Sequence, residues 1–101
     1  MIPDQTLVSR AIVVWTGWGD TTSPVRDETR LVEQFGSEIT VELLPQIREV
    51  ESRFYSSNAR LTTSDVTEMG EVAAEDFRGN NPGFSEEAVQ ALTWCYTFDF
   101  K

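Results

Sequence analysis

The sequence predicts a mainly α-helical fold, a small irregular bundle of about four or five helices. Three observations lead there. Apolar residues recur at spacings of three and four in several segments, most plainly Ile39, Leu43, Ile47, Val50 and Phe54. Residues suited to helix N-caps precede those segments, and Gly36 and Asn80-Asn81-Pro82-Gly83 interrupt them. Eleven aromatic residues, 11% of a chain of 101, supply enough bulk for one core and not for two, so residues 1–101 form a single domain.

The first helix contains Leu7, Val8, Ala11, Ile12 and Trp15 on one face, with Asp4 placed to cap it. Val13 and Val14 blur that face, and the β-prone run Ala11–Trp15 leaves an α+β alternative open, with strands near 6–15 and 94–100. Thr16 to Thr22, with Gly17 and Gly19 flanking Trp18, reads as a loop. Ser23 as N-cap and Pro24 at the first helical position predict a helix from Pro24 to Phe35, with Asp27 and Glu28 complementing its positive end.

Gly36 ends that helix, and Ser37 is placed to cap the long one that follows. Pro45 lies inside it, at a cost of about 3 kcal/mol in an undistorted helix interior, so a kink or break is expected near Leu44. After a loop from Ser56 to Thr62, Thr63 or Ser64 caps a helix burying Val66, Met69, Val72, Ala73 and Phe77. Ser85 caps the last helix, where Phe84 is placed to pack on Val89 and the aromatic ending Trp94–Phe100 docks on the core.

The chain contains no histidine, which removes the side chain best suited to proton transfer near neutral pH and the commonest metal ligand. Its single cysteine, Cys95, sits among aromatic residues and reads as a buried structural thiol in a reducing compartment. The amino terminus, Met1-Ile2-Pro3-Asp4-Gln5, lacks a basic leader, and no apolar run is long enough for a bilayer. Neither a catalytic motif nor a cofactor fingerprint is present, and Asp65, Glu68, Glu71, Glu75 and Asp76 lack the spacing of a calcium loop. These features predict a cytoplasmic, non-enzymatic protein with no cofactor and no metal, which acts by binding another macromolecule.

Charge narrows the partner. A net charge of -9 repels phosphate backbones and anionic lipid, so neither nucleic acid nor membrane is an expected direct partner. Residues 61–101 carry eight acids against only Arg78 and Lys101. Glu68, Glu71 and Glu75 follow helical spacing and form an outer stripe, with Glu42 and Glu49 a second pair on the long helix. Such carboxylates suit the arginines and lysines of a basic partner, or else make an ordinary solvated face. Trp18, on its glycine-flanked loop, is either an interface anchor or a residue folded back onto its own core.

The stretch Asn81-Pro82-Gly83-Phe84-Ser85-Glu86-Glu87-Ala88, followed by Ala91-Leu92-Thr93-Trp94-Cys95-Tyr96-Thr97-Phe98-Asp99-Phe100-Lys101, resembles the ending of some immunity proteins of bacterial contact-dependent growth inhibition systems. It covers about a fifth of the chain and combines a proline turn, a capped acidic helix start and an aromatic helix end. The resemblance implies a small cytosolic protein that binds a cognate toxin domain and blocks its active site or substrate groove. It assigns no contact residue, because toxin-contacting positions are not a shared motif in that family. Two other readings remain beside it: an acidic nucleic-acid mimic that inhibits a nucleic-acid-binding protein, and a small enzyme working through carboxylates, tyrosines or serines.

Overall fold

A computed structural model describes residues 4–100, so Met1, Ile2 and Pro3 of the amino terminus and Lys101 at the end of the aromatic stretch lie outside the described residues. Five helices of eight residues or more, and one single turn, make an all-α bundle: α1 (Gln5–Thr16), α2 (Glu28–Phe35), α3 (Ser37–Tyr55), the turn α4 (Ala59–Thr62), α5 (Val66–Asn80) and α6 (Glu86–Phe100). Among the described residues there is no strand, and the two segments with a β alternative are the helices α1 and α6. Backbone hydrogen bonds of a helix close within the segment, so α1 tolerates its Val13-Val14 run once several neighbours cover it.

Helix α6 occupies the centre, packing on α5, α1 and α3, while α1 also meets α2 and α3. Its Ala88, Ala91, Leu92, Cys95 and Tyr96 are all fully buried. Around Tyr96 the rings of Phe54, Tyr55 and Phe100 lie at centroid distances of 5.7, 5.3 and 4.9 Å, and Phe77 packs on Phe54 at 5.4 Å. The Tyr96 hydroxyl is satisfied in this apolar setting by accepting from the Arg60 backbone N–H and donating to the Ser57 carbonyl. Helices α5 and α6 approach closely at Gly70, where an added Cβ would sit 2.8 Å from the Thr97 methyl.

Asp4 caps α1, accepting from the Leu7 N–H at 2.8 Å, and Ser85 caps α6 through the Ala88 N–H. Phe84 lies against Phe77 with ring centroids 5.5 Å apart. Other boundaries depart from the sequence reading. Helix α2 starts at Glu28 with Asp27 as its cap, not at Pro24 after Ser23. Tertiary hydrogen bonds explain the shift. The Val25 and Asp27 N–H groups donate to the Thr16 and Trp15 carbonyls, so residues 24–27 close the end of α1, and Arg26 takes a φ of 52°, outside the right-handed helical region.

Gly36, not Ser37, occupies the N-cap position of α3, and Asp65, not Thr63 or Ser64, caps α5 by accepting from the Thr67 and Glu68 N–H groups. Helix α3 runs unbroken through Pro45. The proline and Val41, four residues earlier, are both exposed, so water can serve the Val41 carbonyl that loses its helical donor. Within the expected loop, residues 59–62 form the turn α4, and Val66 at the start of α5 is 39% exposed rather than buried.

Candidate partner-binding surface

The outer face of α5 carries Glu68, Glu71 and Glu75, all exposed, because the opposite face is occupied by Met69, Ala73 and Phe77. Glu71 and Glu75 also border a shallow groove between α5 and α6, whose floor includes Gly70 and Thr97. Among the described residues, no cation lies within ion-pairing distance of these three carboxylates. The nearby guanidinium of Arg78 is directed across to Glu86 at the start of α6. The stripe therefore presents uncompensated negative charge on a rigid helix.

The remaining expected contact residues lie in other settings. Glu49 is exposed but pairs with Arg53 one turn along α3 at 2.6 Å. Glu42, on the same helix, is half-buried. Trp18 is half-buried, its ring packed edge-on against Trp94 at a centroid distance of 5.3 Å. The loop tryptophan thus folds back onto its own core, and the structure does not gather it with the α5 stripe into one patch.

A polar cluster that sequence spacing does not reveal joins the 17–27 loop to α3 and α6. The Arg26 Nε donates to Glu51 at 2.6 Å, and its Nη2 donates to the Tyr55 hydroxyl at 2.7 Å and to Asp99 at 2.9 Å. Tyr55 in turn donates to Asp99 at 2.6 Å. Burial alone would lower the Arg26 pKa, but the hydrogen bonds to Glu51 and Asp99 raise it above its ordinary value. Burial, followed by the hydrogen bond to Asp99, pushes the Tyr55 hydroxyl up against the opposing pull of Arg26. The guanidinium stays charged and the phenol neutral, so the cluster acts as a fixed brace.

Replacing Arg26 with methionine is expected to cost about 1–3 kcal/mol, since Glu51 and Asp99 lose a charge-assisted partner while half shielded from water. A double-mutant cycle with Glu51→Gln in urea unfolding measures the coupling. Strictly additive losses would show that the Arg26–Glu51 pair contributes nothing. Arg26→Gly should recover part of the loss, because glycine adopts the positive φ without strain.

Among the described residues, no group of three or more histidine, cysteine or acidic side chains is placed to hold a metal ion, and no helix is long and apolar enough to cross a membrane. Comparison of the chain with protein-family models, curated proteins and solved structures finds no match.

Proposed function

We propose that this chain is an immunity protein that acts in the bacterial cytoplasm, binding a cognate toxin domain with a basic surface and occluding its active site or substrate groove. The observation that supports this reading best is the α5 stripe, where Glu68, Glu71 and Glu75 stand exposed with no resident cation in pairing range among the described residues. Toxins that act on nucleic acids need cationic surfaces to meet phosphate, and an acidic inhibitor is drawn to that surface by the same field. The chain's net charge of -9 extends the attraction beyond contact range. Glu49 joins the interface only by exchanging Arg53 for a partner's cation.

The primary test is co-expression of the chain with the product of its neighbouring gene, scoring cell survival and co-purification. Rescue with a stable complex supports the proposal, and the absence of both rescue and complex overturns it. Reversing Glu68, Glu71 and Glu75 to lysine is expected to slow association about 10-fold or more at low salt while leaving the helical circular dichroism intact. Raising the ionic strength should close the gap between wild type and variant, because exposed charges are screened. Equal association rates at low salt would remove the stripe from the interface.

A further inference from the structure

Helices α5 and α6 form an antiparallel pair, with Gly70 against Thr93 and Thr97 and with Arg78 reaching Glu86 at the other end. Between them runs an open groove of about 370 Å³, which extends along α5 from Thr67 to Arg78. At a rise of about 1.5 Å per residue this is a length of about 16 Å, or roughly three helical turns. We infer that the groove receives a basic amphipathic helix of a protein partner, laid along the pair as a third helix. The inference deepens the reading of the chain as a binder of basic proteins. It rests on that reading for the partner's charge, and it names the element that the partner presents.

The floor is apolar although threonines help to build it. Thr93 Oγ1 donates to the Val89 carbonyl at 2.7 Å and Thr97 Oγ1 to the Thr93 carbonyl at 3.0 Å, so both hydroxyls are spent on their own helix. Their methyl groups face Gly70, where an added Cβ would lie 2.8 Å from the Thr97 methyl and 3.1 Å from that of Thr93. Ala74 continues this floor of small groups one turn along α5, so the apolar ridge of an incoming helix can seat close to both backbones. The two walls differ in charge. Glu71 and Glu75 stand on the α5 side, and among the described residues neither makes an ion pair. Neutral Gln90 stands on the α6 side. Arg78, the cation that the groove itself contains, is drawn to Glu86, where the pair closes one end. A helix seated here therefore meets methyl groups below, unpaired carboxylates along one flank and a neutral amide along the other. Charge selects the occupant: an apolar stripe edged on one side by lysine or arginine satisfies all three surfaces. A second copy of a chain with net charge -9 would instead bring like charge to the acidic wall.

The test selects three-turn helices, displayed on phage from a fixed helical scaffold with their outward positions randomised, against the immobilised full chain. The expected consensus has apolar residues at helical spacing and lysine or arginine on one flank only. That consensus helix, synthesised and titrated into the isotope-labelled chain, should shift the amides of Gly70, Ala74, Gln90 and Thr93 saturably in NMR spectra. Thr93→Gln, which raises a longer side chain from the floor, should weaken binding about 10-fold, the loss of one well-packed anchor. Glu71→Gln combined with Glu75→Gln, at two exposed sites, should weaken it about 5-fold at low salt and little at high salt. The shift map and the carboxylate variant decide the matter even where Thr93→Gln fails to fold. No selected helix, an acidic or uncharged consensus, shifts on another face, or full affinity in the carboxylate variant would each overturn the inference, as would a dimer of the chain that Thr93→Gln dissociates. Because the displayed helices need no toxin, failure of the immunity reading and failure of the groove are separable. A basic helix bound in the groove without rescue sinks only the former, and rescue without such a helix sinks only the latter.

Discussion

Replacing Phe54 with alanine is expected to remove about 3–5 kcal/mol of folding stability, enough to leave a domain of ordinary stability near its unfolding threshold. The side chain is 1% exposed and meets the rings of Tyr55, Phe77 and Tyr96, so it joins α3 to both α5 and α6. Truncation removes the transfer energy of the ring and leaves a cavity whose walls are helices tied together elsewhere, which limits collapse. Urea unfolding followed by circular dichroism should show a lower midpoint with an unchanged slope. Val41→Ala on the same helix, at a site 71% exposed, should shift the midpoint little. A loss under about 1 kcal/mol at Phe54 would show that the three helices do not share this ring.

How far the fold is legible in the sequence depends on how many sides of each helix are covered. Helix α3 buries one stripe, Leu43, Ile47, Val50 and Phe54, while Val41, Pro45 and Arg48 meet solvent, so its period is plain. Helix α6 is covered by three neighbours, which draws apolar residues to most of its circumference and erases the period; its aromatic ending then reads equally well as a strand. The same covering half-buries Val13 and Val14 on α1. Caps are ambiguous for a different reason. Ser23 and Asp27 both suit an N-cap, and the choice is made by the Thr16 and Trp15 carbonyls, which claim the intervening N–H groups.

The candidate site divides along the same line. The stripe on α5 is visible because local helical spacing creates it, whereas the absence of pairing cations among the described residues is a tertiary fact. Arg26 finds Glu51, Tyr55 and Asp99 at sequence separations of 25, 29 and 73 residues, which no local pattern encodes. The Ser57–Asp76 hydrogen bond is equally hidden. Asp76 is one acid among several in the chain, and becomes distinct only when the end of α3 brings Ser57 to it.

Stability is expected to fall steeply as pH rises above about 9, and Cys95 is the principal cause. Its thiol is fully buried in α6, and burial, with smaller contributions from Glu51 and Asp99 against the opposing charge of Arg26, pushes its pKa up to about 12 from an ordinary 9.0. Between those two values the unfolded chain releases the thiol proton while the folded chain retains it. The unfolded state then binds fewer protons, so the free energy of unfolding decreases with pH, by up to about 1.4 kcal/mol per unit. The stabilising difference is complete below pH 9 and is lost as pH climbs toward 12. Tyr55, also raised, adds a second decline of the same sign starting near its ordinary value of 10.0. Urea midpoints measured from neutral to alkaline pH should be level and then bend downward near pH 9. Cys95→Ala lowers the whole curve by the packing it removes, but should postpone the bend to about pH 10, and adding Tyr55→Phe should soften what remains. Parallel curves for wild type and Cys95→Ala would show that the thiol is as hydrated folded as unfolded, and would displace it from the core of α6.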